Sequence, residues 1–341
     1  MDDSGHIAVL VNPASRRGAG AEHAGAVLRR LVERGATVRT YQGTAPDDTP
    51  RLAKEAVAAG PDVLAVAGGD GTIAAVLPYL TGTGVPLAVV GGGTGNDLAR
   101  MHGIPPGPRD AADVVLDGDR RLVDTGTITG DDGTVTSFAT IACAGFDSRA
   151  NERINRMRRP RGAARYTLGT YRELLGLRTF SYRLVLDPPA RAVGPLTSGR
   201  SEVEKSAPRA TERTADRPTA RRRTDEPTEV PGHLLAIGNT RYYGGGRPIL
   251  PEADARDGLL DITLVEAVGR LRLIGLDRPI KRGEHLSRPG VRALRAASVR
   301  VEADGDLVMY ADGEPVGPLP VTVTAQHRNL MLCLPRDGGR P

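Results

Sequence analysis

The sequence predicts an α/β protein with two units, a doubly wound parallel sheet followed by a β-rich unit with an antiparallel sheet or sandwich. In the first third, short apolar runs alternate with segments whose apolar residues recur at helical spacing. From about Ser137 onward, alternating β-branched residues replace this pattern. The chain has 341 residues, enough for two domains with separate cores. We place the units at residues 1–125 and 126–335.

The parallel sheet is predicted from four apolar runs that read as strands buried on both faces. These runs are Ile7–Val11, Val38–Tyr41, Val63–Ala67 and Leu87–Val90. A helical pattern follows the first run, with apolar residues at Ala24, Val27, Leu28 and Leu31. In such sheets, ligands bind in the loops at the carboxyl ends of the strands. The loops after these strands are therefore the place to search for a site.

The second unit is predicted from strand-like segments with wider spacing. These segments are His233–Gly238, Leu260–Val265, Leu307–Tyr310 and Val321–Thr324. Arg161–Leu177 reads as a basic helix. Residues 188–231 are rich in Pro, Arg, Thr, Ser and Glu and have few large apolar residues, so burial would not offset their ordering entropy. We predict a disordered insertion there.

Composition narrows the class of protein and partner. The net charge of +5 and a pI near 9.4 favour polyanionic partners, while 3% aromatic residues and no Trp argue against nucleic acid. Cys143 and Cys333 are too few for a disulfide framework or a zinc site, which suits the cytoplasm. The acidic N-terminus lacks a signal pattern, and no apolar run approaches the roughly 20 residues that span a bilayer. We expect a cytoplasmic protein whose membrane contact is peripheral.

Three polar or glycine-rich loops at strand ends are the candidate chemical site. They are Asn12–Gly18, Gly68–Thr72 and Gly91–Asp97. Bare backbone amides next to a helix N-terminus form a cradle for phosphate. One such loop is often a simple tight turn, but three at one sheet edge are a stronger signal. No Gly-Lys-Ser/Thr P-loop and no dinucleotide fingerprint is present.

The order and spacing of seven separated motifs resemble the diacylglycerol kinase catalytic family, which includes sphingosine and ceramide kinases. The motifs are Asn12-Pro13, Gly68–Thr72, Gly93–Arg100, Val123-Asp124, Gly238-Asn239, Asp257–Asp261 and Asp312–Glu314. The resemblance covers almost the whole chain except residues 188–231. It implies an ATP-binding unit, a β-rich lipid-substrate unit and an active site between them.

The resemblance also implies roles for individual residues. ATP would contact the glycine loops through Asn12, Gly68, Gly69, Gly71, Thr72, Gly93, Thr94 and Asn96. Asp70, Asp97 and Asp124 match acidic positions around a catalytic Mg²⁺, largely reached through water. Asp257 matches the ligand of a structural Mg²⁺, and Asp312 matches the proposed general base. Two positions depart from the pattern: Gly91 stands where many members have proline, and Arg256 replaces a common acidic residue of the structural metal loop.

Each carboxylate also has a simpler interpretation. Asp70 and Asp97 precede helices, where Asp caps backbone amides for about 1 kcal/mol. Asp312-Gly313 and Asp257-Gly258 are typical turn dipeptides. Asp124 could be a solvated strand-end residue. Phosphoryl transfer needs mainly positioning and charge stabilisation, which favours the functional interpretation for carboxylates beside phosphate cradles.

A basic stretch between the two units is a candidate membrane contact. Residues 149–178 carry Arg153, Arg156, Arg158, Arg159, Arg161, Arg165 and Arg172 among apolar residues. A lipid kinase acts on a bilayer-held substrate, so such a surface would bind anionic headgroups. A solvated helix face is the alternative.

The sequence therefore predicts Mg²⁺- and ATP-dependent phosphorylation of a lipid hydroxyl, with diacylglycerol as the favoured substrate and phosphatidic acid as product. Asp312 would accept the proton, and Asp70, Asp97 and Asp124 would surround the metal. A sphingoid base or another neutral lipid stays open as the acceptor. NAD kinase and an inactive lipid- or nucleotide-binding regulator are the less favoured functions. Oligomeric state is open, with a homodimer among the options.

Overall fold

The computed structural model describes residues 5–12, 19–93, 95–146, 148–149, 176–187 and 228–336. Its helices are α1 (Ala19–Glu33), α2 (Thr49–Ala58), α3 (Asp70–Leu80), α4 (Asp97–Met101), α5 (Pro108–Asp117) and α6 (Arg270–Arg282). Its strands are β1 (Ile7–Val11), β2 (Val38–Gln42), β3 (Val63–Gly68), β4 (Leu87–Gly91), β5 (Asp119–Gly130), β6 (Val135–Phe138), β7 (Ile141–Gly145), β8 (Phe180–Asp187), β9 (Thr228–Gly238), β10 (Tyr242–Tyr243), β11 (Arg247–Pro248), β12 (Leu260–Glu266), β13 (Val291–Ala296), β14 (Ser298–Ala303), β15 (Val308–Ala311), β16 (Glu314–Pro318) and β17 (Val321–Leu334). Short 3₁₀ turns lie at Pro46–Asp48 and His285–Ser287.

The N-terminal strands form a parallel sheet in the order β2-β1-β3-β4. Successive residues of a strand point to opposite faces, and both faces are apolar in β1. Leu10 packs on the side of α2 and α3, whereas Val9 packs on the side of α1 and α5. Helices therefore cover both faces, and the predicted doubly wound sheet is confirmed.

The second strand departs from the expectation that all four runs are buried on both faces. β2 lies at the sheet edge, pairs with β1 alone among the described strands, and has exposed or half-buried residues throughout. Its sequence Val38–Gln42 includes Arg39 and Gln42, which suit an edge exposed to water. The prediction of a fully buried strand is wrong here.

The second unit is antiparallel, as predicted. Strands β7, β8, β9, β12, β14 and β15 pair antiparallel with their neighbours around a core that includes Phe138, Tyr182 and Leu235. Helix α6 covers a second apolar cluster on this unit through Leu276. The antiparallel sheet thus has its own core, separate from those of the first unit.

Two long strands join the units into one continuous sheet. β5 and β17 pair antiparallel along almost their full length, and β17 also pairs in parallel with β4, with Leu332 opposite Leu87. Leu330 and Leu332 lie in the same core cluster as Leu10. The end of the chain therefore completes the first unit's sheet, a return that the division at residue 125 does not include.

Two sequence predictions concern the segments between β7 and β9. The predicted insertion of residues 188–231 extends too far, because Thr228 already pairs with Leu184 and Pro231 with Ser181 in the β8–β9 ladder. Of the predicted basic helix Arg161–Leu177, the structure describes residues 176 and 177 alone. The arginines proposed for membrane contact lie outside the described residues. None of the described helices has the length and apolar character needed to cross a bilayer.

Trimming the insertion tests this boundary. Replacing residues 188–227 by a Gly-Ser linker of about eight residues should change the melting temperature by less than about 3 °C, because the β8–β9 ladder is kept. Replacing residues 188–231 should lower it by about 5 °C or more, because the pair of Tyr182 with the buried Val230 is removed. Equal melting temperatures for the two variants would contradict the ladder. Calorimetry gives both values.

Candidate active site

The two glycine loops of the first unit touch through their backbones. Gly92 N–H donates to the carbonyl of Gly68 at 2.9 Å. A Cβ atom on Gly93 would lie 2.5 Å from Cα of Gly69, a distance that side-chain carbons do not adopt. Since the atom that this Cβ would meet belongs to the backbone, a side chain at this position would force one loop to shift. Glycine is required because the loops after β3 and β4 pack directly on each other.

The loop after β1 joins this pair through Asn12. The Asn12 backbone N–H donates to the carbonyl of Ala67 at 3.3 Å, and its Nδ2 donates to Thr72 Oγ1 at 3.1 Å. A Cβ on Gly68 would lie 2.5 Å from the Thr72 side chain. The structure thus brings Asn12, Gly68 and Thr72 together at the start of α3.

Asn96 shapes the second loop with its own side chain. It adopts a left-handed conformation with φ of 51° immediately before α4. Its Oδ1 accepts the Gly93 N–H at 2.9 Å, which closes the loop on itself. Asn96 therefore stabilises the cradle from inside. Thr94, also predicted to bind the nucleotide, lies outside the described residues.

Asp70 links the two loops by capping a distant helix. Its carboxylate accepts the N–H groups of Asp97 at 3.1 Å and Leu98 at 3.2 Å, the first residues of α4. Neither of these described bonds caps α3, the helix that Asp70 begins. The capping interpretation is correct in kind, but the capped helix begins 27 residues later.

Asp97 is buried at the other side of the same junction. Its Oδ2 accepts the Gly245 N–H at 3.1 Å, while its Oδ1 is buried without a hydrogen-bond partner among the described residues. Burial raises the pKa of this carboxyl, and the negative charge of Asp70 adds to the effect. The N–H groups of Gly245 and Gly246 and the positive charge of Arg100 act in the opposite direction and favour the ionised form.

The donor to Asp97 belongs to a loop that the sequence analysis did not single out. Gly244, Gly245 and Gly246 have φ angles of 56°, 88° and 99°, which favour glycine. A Cβ on Gly246 would lie 2.8 Å from Arg100 Nε, so this loop packs on α4. The three consecutive glycines can be seen in the sequence. Their contacts with Asp97 and Arg100 of the first unit cannot be predicted from it.

Asp312 lies at the turn between β15 and β16, with φ of 51°. Its Oδ2 accepts the Ala139 N–H at 2.8 Å, and its Oδ1 accepts the Thr140 N–H at 2.9 Å and the Thr140 hydroxyl. The residue is therefore a turn former, and its carboxylate is also fixed in one orientation. A turn alone would not need these three donors.

Asp312 is influenced by Asp70, a carboxylate of the first unit. Burial and, to a smaller extent, the negative charge of Asp70 raise the pKa of its carboxyl to about 6, against the lowering effect of its hydrogen-bond donors. The neighbouring Glu314 also approaches α3, since a Cβ on Gly71 would lie 3.6 Å from its Oε1. The two units thus contribute carboxylates to one site.

Asp124 lies elsewhere, in contact with the segments around residues 258 and 328. Its buried carboxylate accepts the Gly258 and Arg328 N–H groups, both at 2.7 Å, and pairs with His327 Nδ1 at 3.0 Å. The solvated interpretation is wrong. None of the described hydrogen bonds connects Asp124 to Asp70 or Asp97, so its metal role stays a prediction.

Asp257 occupies the turn that contacts Asp124. Its Oδ1 accepts the Leu259 N–H at 3.0 Å, and its Oδ2 forms an ion pair with Arg295. Gly258 has φ of 73°, as a turn requires. These contacts suit a turn and leave little of the carboxylate for a structural Mg²⁺. Within the described residues, no three His, Cys, Asp or Glu side chains cluster as metal ligands.

The pair Asp70 and Asp97 fits a cation better. Two carboxylates lie close enough for one to raise the pKa of the other, and Asp97 Oδ1 has no partner. A hard cation such as Mg²⁺, held directly or through water, would compensate both charges. The site chemistry therefore fits a magnesium nucleotide at the glycine loops.

Comparison with known proteins shows the family of this chain. The family model for the diacylglycerol kinase catalytic domain matches residues 6–128, and that for the YegS C-terminal NAD kinase β-sandwich-like domain matches residues 140–334. A diacylglycerol kinase of Mycobacterium tuberculosis is 38% identical, over 98% of this chain and 96% of its own. This chain belongs to the diacylglycerol kinase-like lipid kinase family.

More distant family members match over a similar length. A diacylglycerol kinase of Bacillus subtilis is 25% identical, with 96% of each chain covered. The crystal structure of a diacylglycerol kinase from Bacillus anthracis superposes with a TM-score of 0.69, at 19% identity and 96% coverage of both chains. The latter likeness supports the fold alone.

The glycine contact gives a direct test of the site's construction. Gly93→Ala should destabilise the protein by about 1–3 kcal/mol, because its Cβ overlaps the backbone of Gly69. Gly275→Ala is the matched control, since its Cβ would meet nothing within 4 Å inside α6 and should stabilise by up to about 1 kcal/mol. Urea unfolding measures both. A neutral Gly93→Ala would show that the loops do not pack as described.

Proposed function

We propose that this kinase transfers the γ-phosphoryl group of ATP to the hydroxyl of diacylglycerol and produces phosphatidic acid. The proposal rests on Asp312. Hydrogen bonds hold its carboxylate in one orientation, its pKa is raised to about 6, and the charge of Asp70 in the first glycine loop acts on it. A general base is most effective when its pKa lies near the working pH. Asp312 meets this condition.

The glycine loops would hold the nucleotide. At Gly68, Gly69, Gly92 and Gly93 the backbone is free of side chains at the carboxyl ends of β3 and β4. N–H groups at the start of α3 favour a negatively charged phosphate. Thr72, fixed by Asn12, adds a hydroxyl at the same place. These groups position phosphates, which is the main task of a phosphotransferase.

Asp70 and Asp97 would hold the magnesium that accompanies ATP. Bound Mg²⁺ neutralises charge that develops on the phosphates during transfer. Asp70 also fixes the start of α4. The side chain that would face the cation therefore also sets the geometry of the loop. Asp257 and Asp124 are engaged in other contacts, and no step of the reaction is assigned to them here.

Asp312 would handle the acceptor proton. Its carboxylate takes the proton of the lipid hydroxyl as the lipid oxygen bonds to the γ-phosphorus. The bond from that phosphorus to the bridging oxygen breaks, and ADP leaves with the electron pair. Thr140 and Ala139 keep the carboxylate in place through three hydrogen bonds. The base therefore acts from a preorganised position.

Diacylglycerol is favoured because relatives covering nearly the whole chain are named diacylglycerol kinases. The test is a panel of diacylglycerol, sphingosine, ceramide and NAD, each incubated with magnesium and radiolabelled ATP. The proposal expects label in the diacylglycerol product. Preferential label in sphingosine or ceramide would change the acceptor, label in NAD would change the class of kinase, and no label would favour a regulator.

Asp312→Asn should lower turnover by about 10²–10⁴-fold, because the amide cannot accept the proton. The affinity for magnesium ATP should change little, since the nucleotide loops belong to the first unit. Asp306→Asn is the matched control, an exposed carboxylate near the same hairpin. Initial rates on diacylglycerol vesicles and nucleotide titrations give both numbers.

The pH dependence adds a second readout. Asp312 acts as a base only when ionised, so kcat/KM of the parent should rise through about pH 6 to a plateau. Asp312→Asn should lose this acidic limb, whereas Asp306→Asn should keep it. Near-parental turnover in Asp312→Asn with an unchanged limb would reduce Asp312 to a turn former.

A further inference from the structure

We propose that the outer face of α6 docks this protein on the surface of an anionic lipid bilayer. This inference rests on the proposed function, since a lipid kinase must reach a substrate held in a membrane. It differs from the proposal for the basic stretch at residues 149–178, because α6 is described in full. Exposed apolar and basic side chains on this helix form the pattern that supports docking.

Helix α6 has apolar residues on two sides, and only one side packs against other described residues. Leu273, Leu276 and Ile280 pack into the apolar cluster beneath the helix. Leu271 and Ile274 are left over, with 86% and 52% of their surface exposed. At 100° per residue, Leu271 points almost opposite to the centre of the packed side. The core contact of α6 does not explain why these two residues are apolar.

Basic residues surround the exposed apolar pair. The helix contains Arg270, Arg272, Arg278, Lys281 and Arg282, with Asp277 as its one acidic residue. Lys281 and Arg247 already pair with Asp277, at 2.6 and 3.3 Å. No described residue forms an ion pair with the four arginines. By helical geometry, Arg278 and Arg282 share the outer face with Leu271.

This arrangement matches the chemistry of a bilayer interface. An interfacial helix inserts its apolar side chains among the headgroups while Lys and Arg bind lipid phosphates. Two apolar side chains form too small a patch for a stable dimer, which buries roughly 800 Å² per partner. The positive charge of the face would also oppose its pairing with a second copy. The bilayer is therefore the occupant that fits.

The position of α6 connects docking to the active site. The helix packs on β11, and a Cβ at its C-cap residue Gly283 would lie 3.1 Å from Pro251. β11 pairs with β10, and the loop between them holds the Gly245 N–H that donates to Asp97. A membrane under α6 would thus lie beside the part of the second unit that completes the site.

The experiment is co-sedimentation of the full chain with vesicles of phosphatidylglycerol and phosphatidylcholine, and with vesicles of phosphatidylcholine alone. The double variant Leu271→Ser/Ile274→Ser should bind the anionic vesicles about tenfold more weakly. Arg278→Gln/Arg282→Gln should weaken binding by a similar factor, as should raising salt from about 0.1 to 0.5 M. Val32→Ser is the matched control, a 62% exposed apolar residue on α1 that should leave binding unchanged.

Two results would overturn the proposal. One is binding by the folded Leu271→Ser/Ile274→Ser variant within twofold of the parent. The other is self-association of the parent without vesicles that this variant abolishes, which would make a second copy the occupant. The variant should keep parental activity on short-chain diacylglycerol in detergent micelles. If no lipid is phosphorylated by any form, the proposed function fails, while the vesicle result still decides the role of α6.

Discussion

The carboxylate of Asp70 is the contact on which the site depends. It ends one glycine loop and accepts the first N–H groups of the helix that follows the other. Those loops already touch backbone to backbone at Gly69 and Gly93, where no side chain fits. Because the two backbones are in contact here, this junction sets the orientation of α4. The position of Asp97 and its contact with the loop at Gly244–Gly246 follow from that orientation. The short carboxylate side chain of Asp70 thus organises residues from both units by accepting backbone hydrogen bonds.

The same junction concentrates negative charge. Asp97 and Asp312 both have raised pKa values, for which burial is the first cause and the charge of Asp70 a further one. Crowded carboxylates are costly unless a cation or a proton compensates them. A magnesium nucleotide would supply the cation, and the acceptor hydroxyl would supply the proton. The electrostatic cost in the free protein is therefore the same property that makes the site suited to phosphoryl transfer.

The sequence predicted what local patterns determine. The apolar strands ending in glycine gave the parallel sheet and its loops, and Asp312-Gly313 gave a turn. Long-range partners were not predictable, since Asp70 caps a helix 27 residues away and the donors to Asp312 come from residues 139 and 140. A solvated Asp124 stayed an open alternative because its partners Gly258 and Arg328 are remote in sequence. The return of β17 to the first unit was hidden for the same reason.

Asp70 and Asp312, which come from different units, lie close enough for the charge of Asp70 to raise the pKa of Asp312. The most direct measurement is the titration of the Asp312 carboxyl by carbon-13 NMR in the nucleotide-free protein, in the parent and in Asp70→Asn. The account predicts a pKa of about 6 in the parent and a lower value in Asp70→Asn, since a like charge is removed. Asp70→Glu should keep the pKa near that of the parent. An unchanged Asp312 pKa in folded Asp70→Asn would contradict a shared site.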